Sequence, residues 1–190
     1  TILLNKSLGR VTSKNIYAKL NNPPENVSSM DGYAIKFTSL KYISNTPIKI
    51  IGESSAGKPY KKKIKDFECI QIFTGAKVPK ETDIILLQEN VLIKNNTLTN
   101  TTQKPVKGQY IRKKGSNFTN NSIIIKKNEL LTSRKIGLAI SANSTNVKVY
   151  RKPKVAILAT GNELRKPGQN IRSGIISSNT LLLISIINSL

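Results

Sequence analysis

Short β-branched runs, each closed by a turn rich in glycine, asparagine or proline, constrain this chain more than any other feature. Tyr33-Ala34-Ile35, Ile48 to Ile51, Glu68-Cys69-Ile70-Gln71-Ile72-Phe73 and Asp83 to Gln88 all read as strands. Asn21-Asn22-Pro23-Pro24 ends any regular element before them, because proline lacks an amide donor and restricts the residue that precedes it. Between the strands, Gly52-Glu53-Ser54-Ser55-Ala56-Gly57 reads as a glycine-bounded turn, and Asn95 to Thr102 as a hairpin tip or exposed loop. The middle of the chain is therefore expected to be mostly β.

The flanks have a different character. Leu8-Gly9-Arg10 is a turn, and Ile123-Ile124-Ile125 reads as extended. Thr132 or Ser133 can cap a helix whose apolar face would carry Ile136, Ala139 and Ile140, with Asn143 as its stop. Beyond the break at Arg151-Lys152-Pro153, Lys154 to Ala159 forms a continuous apolar run, which suits a parallel strand covered on both faces. Ser177-Ser178-Asn179 then caps a helix, Thr180 to Leu190, apolar almost all round and expected to be buried. Strand, loop and helix would open an α/β layer, and one strand with one helix cannot cover both apolar faces, so the chain is expected to stop inside a domain.

The charge balance first suggests a polyanionic partner: 31 Lys and Arg stand against 10 Asp and Glu, a net charge of +21. The lysines are scattered among Asn and Ile, however, so the runs at Lys58, Lys61 to Lys63 and Lys65, and at Arg112 to Lys114, read as solvated loops. A basic nucleic-acid-binding protein is the third and least favoured reading, resting on charge alone. Histidine is absent, which leaves carboxylates, lysines, hydroxyls and backbone amides for any chemistry. The single cysteine, Cys69, cannot form an internal disulfide, no stretch reaches the roughly 18 apolar residues of a membrane span, and Thr1 opens no signal pattern. A cytoplasmic protein with no membrane partner is expected.

Three strings could carry chemistry. In Ser28-Ser29-Met30-Asp31-Gly32-Tyr33-Ala34, Gly32 can take positive φ in a tight turn, while Asp31 either bonds the local backbone or projects toward a ligand. Thr74-Gly75-Ala76 before Pro79 is either a plain turn or an oxyanion cradle made of consecutive amides and the Thr74 hydroxyl. Thr160-Gly161-Asn162-Glu163-Leu164 follows the apolar run, where ligands of open α/β sheets bind. The cap containing Ser178 would aim free amides into the same crevice.

Taken together these residues resemble the molybdopterin molybdenumtransferase family, the MoeA proteins and the gephyrin E domain. The ordered set also includes Leu8-Gly9-Arg10, Pro23-Pro24, Gly57-Lys58-Pro59, Gln88-Glu89, Arg112 with Gly115, and Arg151-Lys152-Pro153. The resemblance implies a multidomain α+β fold. Residues 1–25 and 108–150 would form a discontinuous linking and dimerisation domain of mixed structure. Residues 26–107 would form an inserted, mostly β domain, and 151–190 the start of a truncated α/β domain that binds molybdopterin.

It also implies an enzyme that inserts molybdate into adenylylated molybdopterin and releases AMP, with Mg2+ or another divalent cation assisting. Carried over by motif, Asp31, Thr74 and Glu163 would be catalytic, with Glu163 also the metal ligand. Gly75, Ala76, Gly161 and Ser178 would bind substrate. A homodimer is implied, and the molybdopterin adenylyltransferase is a candidate partner. Two departures stand out: Asn117 in Gly115-Ser116-Asn117 and Asn162 in Thr160-Gly161-Asn162-Glu163 replace acidic residues of the family pattern. The chain by itself is expected to be inactive, and a noncatalytic scaffolding module of the same fold is the alternative reading.

Overall fold

The computed structural model describes residues 1–43, 45–168 and 172–189. The chain divides into two compact units, Thr1–Tyr150 and Arg151–Leu190.

In the first unit the strands in chain order are β1 (Ile2–Leu3), β2 (Ile16–Tyr17), β3 (Val27–Ser28), β4 (Gly32–Ile35), β5 (Ile48–Ser54), β6 (Glu68–Ile72), β7 (Ile84–Leu87), β8 (Val91–Lys94), β9 (Thr97–Thr101), β10 (Ile111–Arg112), β11 (Ile123–Ile125) and β12 (Asn146–Val147). Helix α1 (Ser133–Ser141) lies between the last two. Six strands form one sheet in the order β7-β4-β6-β5-β9-β8, antiparallel except for the β5–β6 pair. Short antiparallel pairs, β1 with β12, β2 with β11 and β3 with β10, tie the early segments to the late ones.

The central strands are apolar on both faces because both faces are covered. Tyr33, Ile35, Cys69, Ile84, Leu86 and Leu98 pack into one cluster, and Ala34, Ile70, Ile72, Ile85, Ala76 and Val78 into another. Successive side chains of a strand point to opposite faces, so β4 and β7 feed both clusters and keep no polar side. A third cluster, Leu4, Ile16, Ile125, Leu131, Ala139 and Val147, lies under α1. The outer edge of β7 is closed by local groups: Leu87 N donates to Gln103 Oε1 (2.9 Å), Gln103 Nε2 donates to the Ile85 carbonyl (3.2 Å), and Ile85 N donates to the Gln109 carbonyl (3.2 Å). A sheet edge covered in this way offers no template for a further strand.

Several expectations change. Gly32 does not take positive φ. It begins β4, and a Cβ there would fall 1.9 Å from the Leu86 carbonyl oxygen, so glycine is required by the close approach of β7. Gly52 likewise lies inside β5, under the Tyr60 ring, and the turn falls at Ser55–Lys58 with Gly57 at φ +79°. The Asn95–Thr102 loop shrinks to a tip at Asn95-Asn96, both at positive φ, because Thr97–Thr101 pairs with β8 and buries Leu98. In α1, Thr132 caps as read, its hydroxyl accepting from Lys135 N, but Ile140 is 57% exposed. Ala139, buried, and Ile136, packed against the same cluster, face inward as expected, and the buried Ala142 takes the place of Ile140.

The second unit departs most from expectation. Lys154 to Ala159 forms no strand: among the described residues no neighbouring strand supplies ladder partners, and Leu158 is 86% exposed. The parallel pair is instead β13 (Leu164–Arg165) with β14 (Ile175–Ile176). Helix α2 (Ser178–Ser189) starts at the serine cap, but it is exposed along its length rather than buried. Leu190, the end of the expected helix, lies outside the described residues.

Candidate functional site

Two of the three motifs meet in the first unit. β3 lies against the turn that follows β6: Ser28 N donates to the Ala76 carbonyl (2.9 Å) and the Ser28 carbonyl accepts from Gly75 N (2.8 Å). Val78 N donates to the Asn26 carbonyl (2.9 Å), continuing the contact. Three residues past Ser28 the chain turns into β4, where half-buried Asp31 faces Thr74. Asp31 Oδ1 accepts from both the Thr74 amide and the Thr74 hydroxyl, each at 2.7 Å. The main chain of Asp31 is held as well, its carbonyl accepting from Gln88 N (3.3 Å). Residues 43 apart in sequence thus share one carboxylate oxygen.

These bonds decide what the turn can hold. The Thr74 amide and, next to it, the Thr74 hydroxyl keep the Asp31 carboxyl below its ordinary value, against a smaller opposing effect of desolvation. The amides of Thr74, Gly75 and Ala76 donate to Asp31 Oδ1, the Ser28 carbonyl and the Phe73 carbonyl respectively. The oxyanion cradle read from the sequence is therefore closed, because every amide that would line it already has an internal acceptor. Ala76 is a core residue with no exposed surface, and Gly75 occupies the turn at φ +81°. The free lone pairs belong to Thr74 Oγ1 and, among the described residues, to Asp31 Oδ2. An ionised carboxylate and a hydroxyl whose proton is already committed form an acceptor surface. It suits a hydrogen-bond donor or a cation and disfavours an anion.

The third motif lies in the second unit. Gly161, at φ +146°, accepts the Leu164 amide through its carbonyl (3.2 Å), and Glu163 curls back over it. A Cβ on Gly161 would come within 2.5 Å of Glu163 Oε1, so the glycine gives this carboxylate space in the position it takes. The Glu163 backbone is fixed by Ile175 N donating to its carbonyl (2.8 Å) at the β13–β14 pair. Asn162, the first altered acidic position of this segment, uses its carbonyl to accept from the Arg165 guanidinium (2.7 Å). Thr160 and Ser178 line a cleft of about 480 Å³, with Ser177, Asn179 and Thr180 at the start of α2. The other altered position, Asn117, accepts from Arg112 Nη2 (2.7 Å) and donates to Asn22 Oδ1 (3.1 Å), joining the loop after β10 to the segment before β3.

No role for Ser28 follows from the motif that contains it. Its side chain is 1% exposed, and its hydroxyl donates to the Met30 carbonyl while accepting from Met30 N (3.3 Å). A serine bonding the backbone two residues on is a local turn signal legible in sequence, although its second grip on Gly75 and Ala76 is not.

The fold and the site define a class of mostly β proteins in which a six-stranded sheet carries an acidic strand-end turn locked to a Thr-Gly turn. Comparison with known families makes this specific. The model of the MoeA N-terminal region (domain I and II) matches residues 1–143, and the chain belongs to that family.

Two relatives carry the same name. Proteins called molybdopterin molybdenumtransferase are 29% identical in Haemophilus influenzae over 90% of this chain, and 30% identical in a Nostoc species over 94%. The chain spans 42% of the length of each. Among solved structures, a molybdopterin biosynthesis MoeA protein from Pyrococcus horikoshii superposes with a TM-score of 0.87 at 32% identity, covering 98% of this chain and 49% of that one. A second MoeA structure from the same organism, TM-score 0.84 at 23% identity, shares the fold.

Proposed function

We propose that this chain is part of a molybdopterin molybdenumtransferase, which inserts molybdate into adenylylated molybdopterin and releases AMP. The observation that carries the reading is the Asp31–Thr74 contact, which joins two separate motifs into one charged, solvent-reachable site. It stands in a chain that matches proteins of that name in Haemophilus influenzae and Nostoc over at least nine-tenths of its length. Cleaving a phosphoric anhydride needs positioned polar groups and neutralised charge rather than histidine.

In this reading Asp31 holds a negative oxygen toward a donor group of the substrate, and Thr74 both orients that carboxylate and offers its own lone pairs. The amide turn beside Asp31 is already closed and is not read as an anion site; within the second unit, Ser178 opens a helix and lines a cleft with Thr160, a setting suited to phosphate or molybdate. Among the described residues no cluster of three carboxylate, thiol or imidazole groups could cage a metal ion. A divalent cation of the Mg2+ kind commonly takes only one or two protein carboxylates, with water and phosphate oxygens completing its shell. Glu163, folded over a glycine that leaves it space, fits that single-ligand role, and the cation would neutralise phosphate charge when bound.

The remaining elements of the reading are a linking region, 1–25 with 108–150, an inserted β domain, 26–107, and the opening of an α/β domain from 151. A homodimer, a transient complex with the adenylyltransferase that makes the substrate, and a cytoplasmic location complete it. The described residues contain no helix long and apolar enough to cross a membrane.

The test is molybdate-dependent AMP release from adenylylated molybdopterin, run on the 190-residue chain and on the product of its complete reading frame. Asp31→Asn in the active form is expected to lower release on the order of 10²-fold, the lower range for loss of one positioned electrostatic contact. Wild-type release by Asp31→Asn would remove Asp31 from the mechanism, and no release by the unaltered protein would favour the scaffolding alternative.

A further inference from the structure

We propose that Ser28 is a positioning residue that fixes the Asp31 carboxylate against Thr74. The inference rests on the assignment of Asp31 and Thr74 to the site, and it adds a residue that touches neither the substrate nor the carboxylate.

The geometry is a closed loop of contacts. Through its main chain, Ser28 grips the second turn: its amide meets the Ala76 carbonyl at 2.9 Å and its carbonyl meets the Gly75 amide at 2.8 Å. Through its side chain it shapes the first turn, its hydroxyl bonded to both the carbonyl and the amide of Met30, the residue directly before Asp31. Asp31 Oδ1 then closes the loop on Thr74, the residue directly before Gly75. Every link is local except the one between the two turns, and Ser28 supplies that link on one side as Asp31 does on the other.

Neighbouring bonds keep this arrangement from being redundant. Ser29 is held by a different segment, its amide and hydroxyl both donating to the Tyr110 carbonyl at 3.0 Å. That contact anchors the outside of the turn but does not reach Gly75 or Ala76. Ser28 bonds the Gly75–Ala76 turn through its backbone and Met30 through its hydroxyl, and its 1% exposure keeps water from replacing the hydroxyl's bonds. Removing the hydroxyl leaves the backbone grip intact, so β3 should stay in place. What is lost is the fixed path from Ser28 to Asp31, and with it the alignment of the carboxylate on two donors.

The readout is the titration of the Asp31 carboxyl followed by carbon-detected NMR, because the Thr74 donors set that midpoint and no charged side chain contributes to it. Ser28→Ala is expected to move the Asp31 midpoint upward, while Ser28→Thr, which keeps the hydroxyl, leaves it near wild type. The shift should be largely absent when Ser28→Ala is placed in a Thr74→Val background, since the two act on one contact.

An unchanged Asp31 midpoint in folded Ser28→Ala, with only a lower melting temperature, would overturn the proposal and leave Ser28 an ordinary buried polar residue. If Ser28→Ala does not fold, Ser28→Cys, similar in size with a weaker donor, replaces it under the same two outcomes. The NMR result is independent of AMP release. A moved midpoint with no turnover in any form would retire the transferase reading while keeping the clamp, and an unmoved midpoint with turnover would do the reverse.

Discussion

At the scale of single residues, the site is governed by where protons are already committed. The Thr74 hydroxyl and amide both point at Asp31, and this holds the carboxyl below its ordinary value of 3.8. A group depressed in the folded state stabilises that state above its unfolded value and loses the contribution as pH falls through the folded value. Thr74→Val removes one donor and is therefore expected to lower the melting temperature at neutral pH, with the gap to wild type narrowing as acid protonates Asp31. Paired thermal melts from neutral pH down through the acidic range check this, and a gap that stays constant would show the loss to be packing alone. The sequence reading reached Asp31 and Thr74 as separate strings, each with a turn as its bland alternative. It could not show that they share an oxygen, because nothing in either string specifies a partner 43 residues away. The amide cradle failed for a related reason: two of the acceptors that close it, the Ser28 carbonyl and Asp31, belong to the other motif, and only the Phe73 carbonyl is local to the turn.

At the scale of elements, strand-length apolar runs were legible where a partner strand exists and misleading where none does. Asp83 to Gln88 and Lys154 to Ala159 look alike as sequence, yet Ile84–Leu87 is buried on both faces against β4, and residues 154–159 form no ladder. A run states that apolar surface must be covered, while pairing depends on backbone partners from elsewhere in the chain. Gly32 shows how tightly the real pair is fitted. Because a Cβ at this position would sit 1.9 Å from a backbone oxygen of the neighbouring strand, no rotamer change can relieve the contact. Gly32→Ala should destabilise the protein by about 3 kcal/mol, the upper end of the usual cost of overpacking, since β4 and β7 must separate. Urea unfolding of the variant measures it. A loss below about 1 kcal/mol would mean that the sheet yields at this point more easily than a buried ladder should.

At the scale of the whole molecule, charge is the property that sequence states most plainly and structure modifies least. Of 10 acidic residues, Asp66, Glu25, Asp83 and Glu129 form ion pairs among the described residues, with Lys36, Lys77, Lys107 and Lys135, at 2.6 to 3.4 Å. All four pairs have partly exposed side chains, and such contacts contribute little in water. Against them stands the mutual repulsion of an excess of 21 positive charges, which acts over distances set by ionic strength. The screening length falls from about 30 Å at 0.01 M salt to about 8 Å at 0.15 M, so added salt removes repulsion between lysines spread across a molecule of this size more completely than it weakens pairs in contact. The melting temperature is therefore expected to rise between those two concentrations of sodium chloride. A fall would place the four ion pairs, rather than the excess charge, in control of stability. The same screening should abolish binding to unrelated DNA over this range, because weak attachment through scattered lysines depends on released counterions. Retention at 0.15 M salt of a preference for one nucleic-acid sequence or structure would require a built surface, and would return the basic charge from a background property to a functional one.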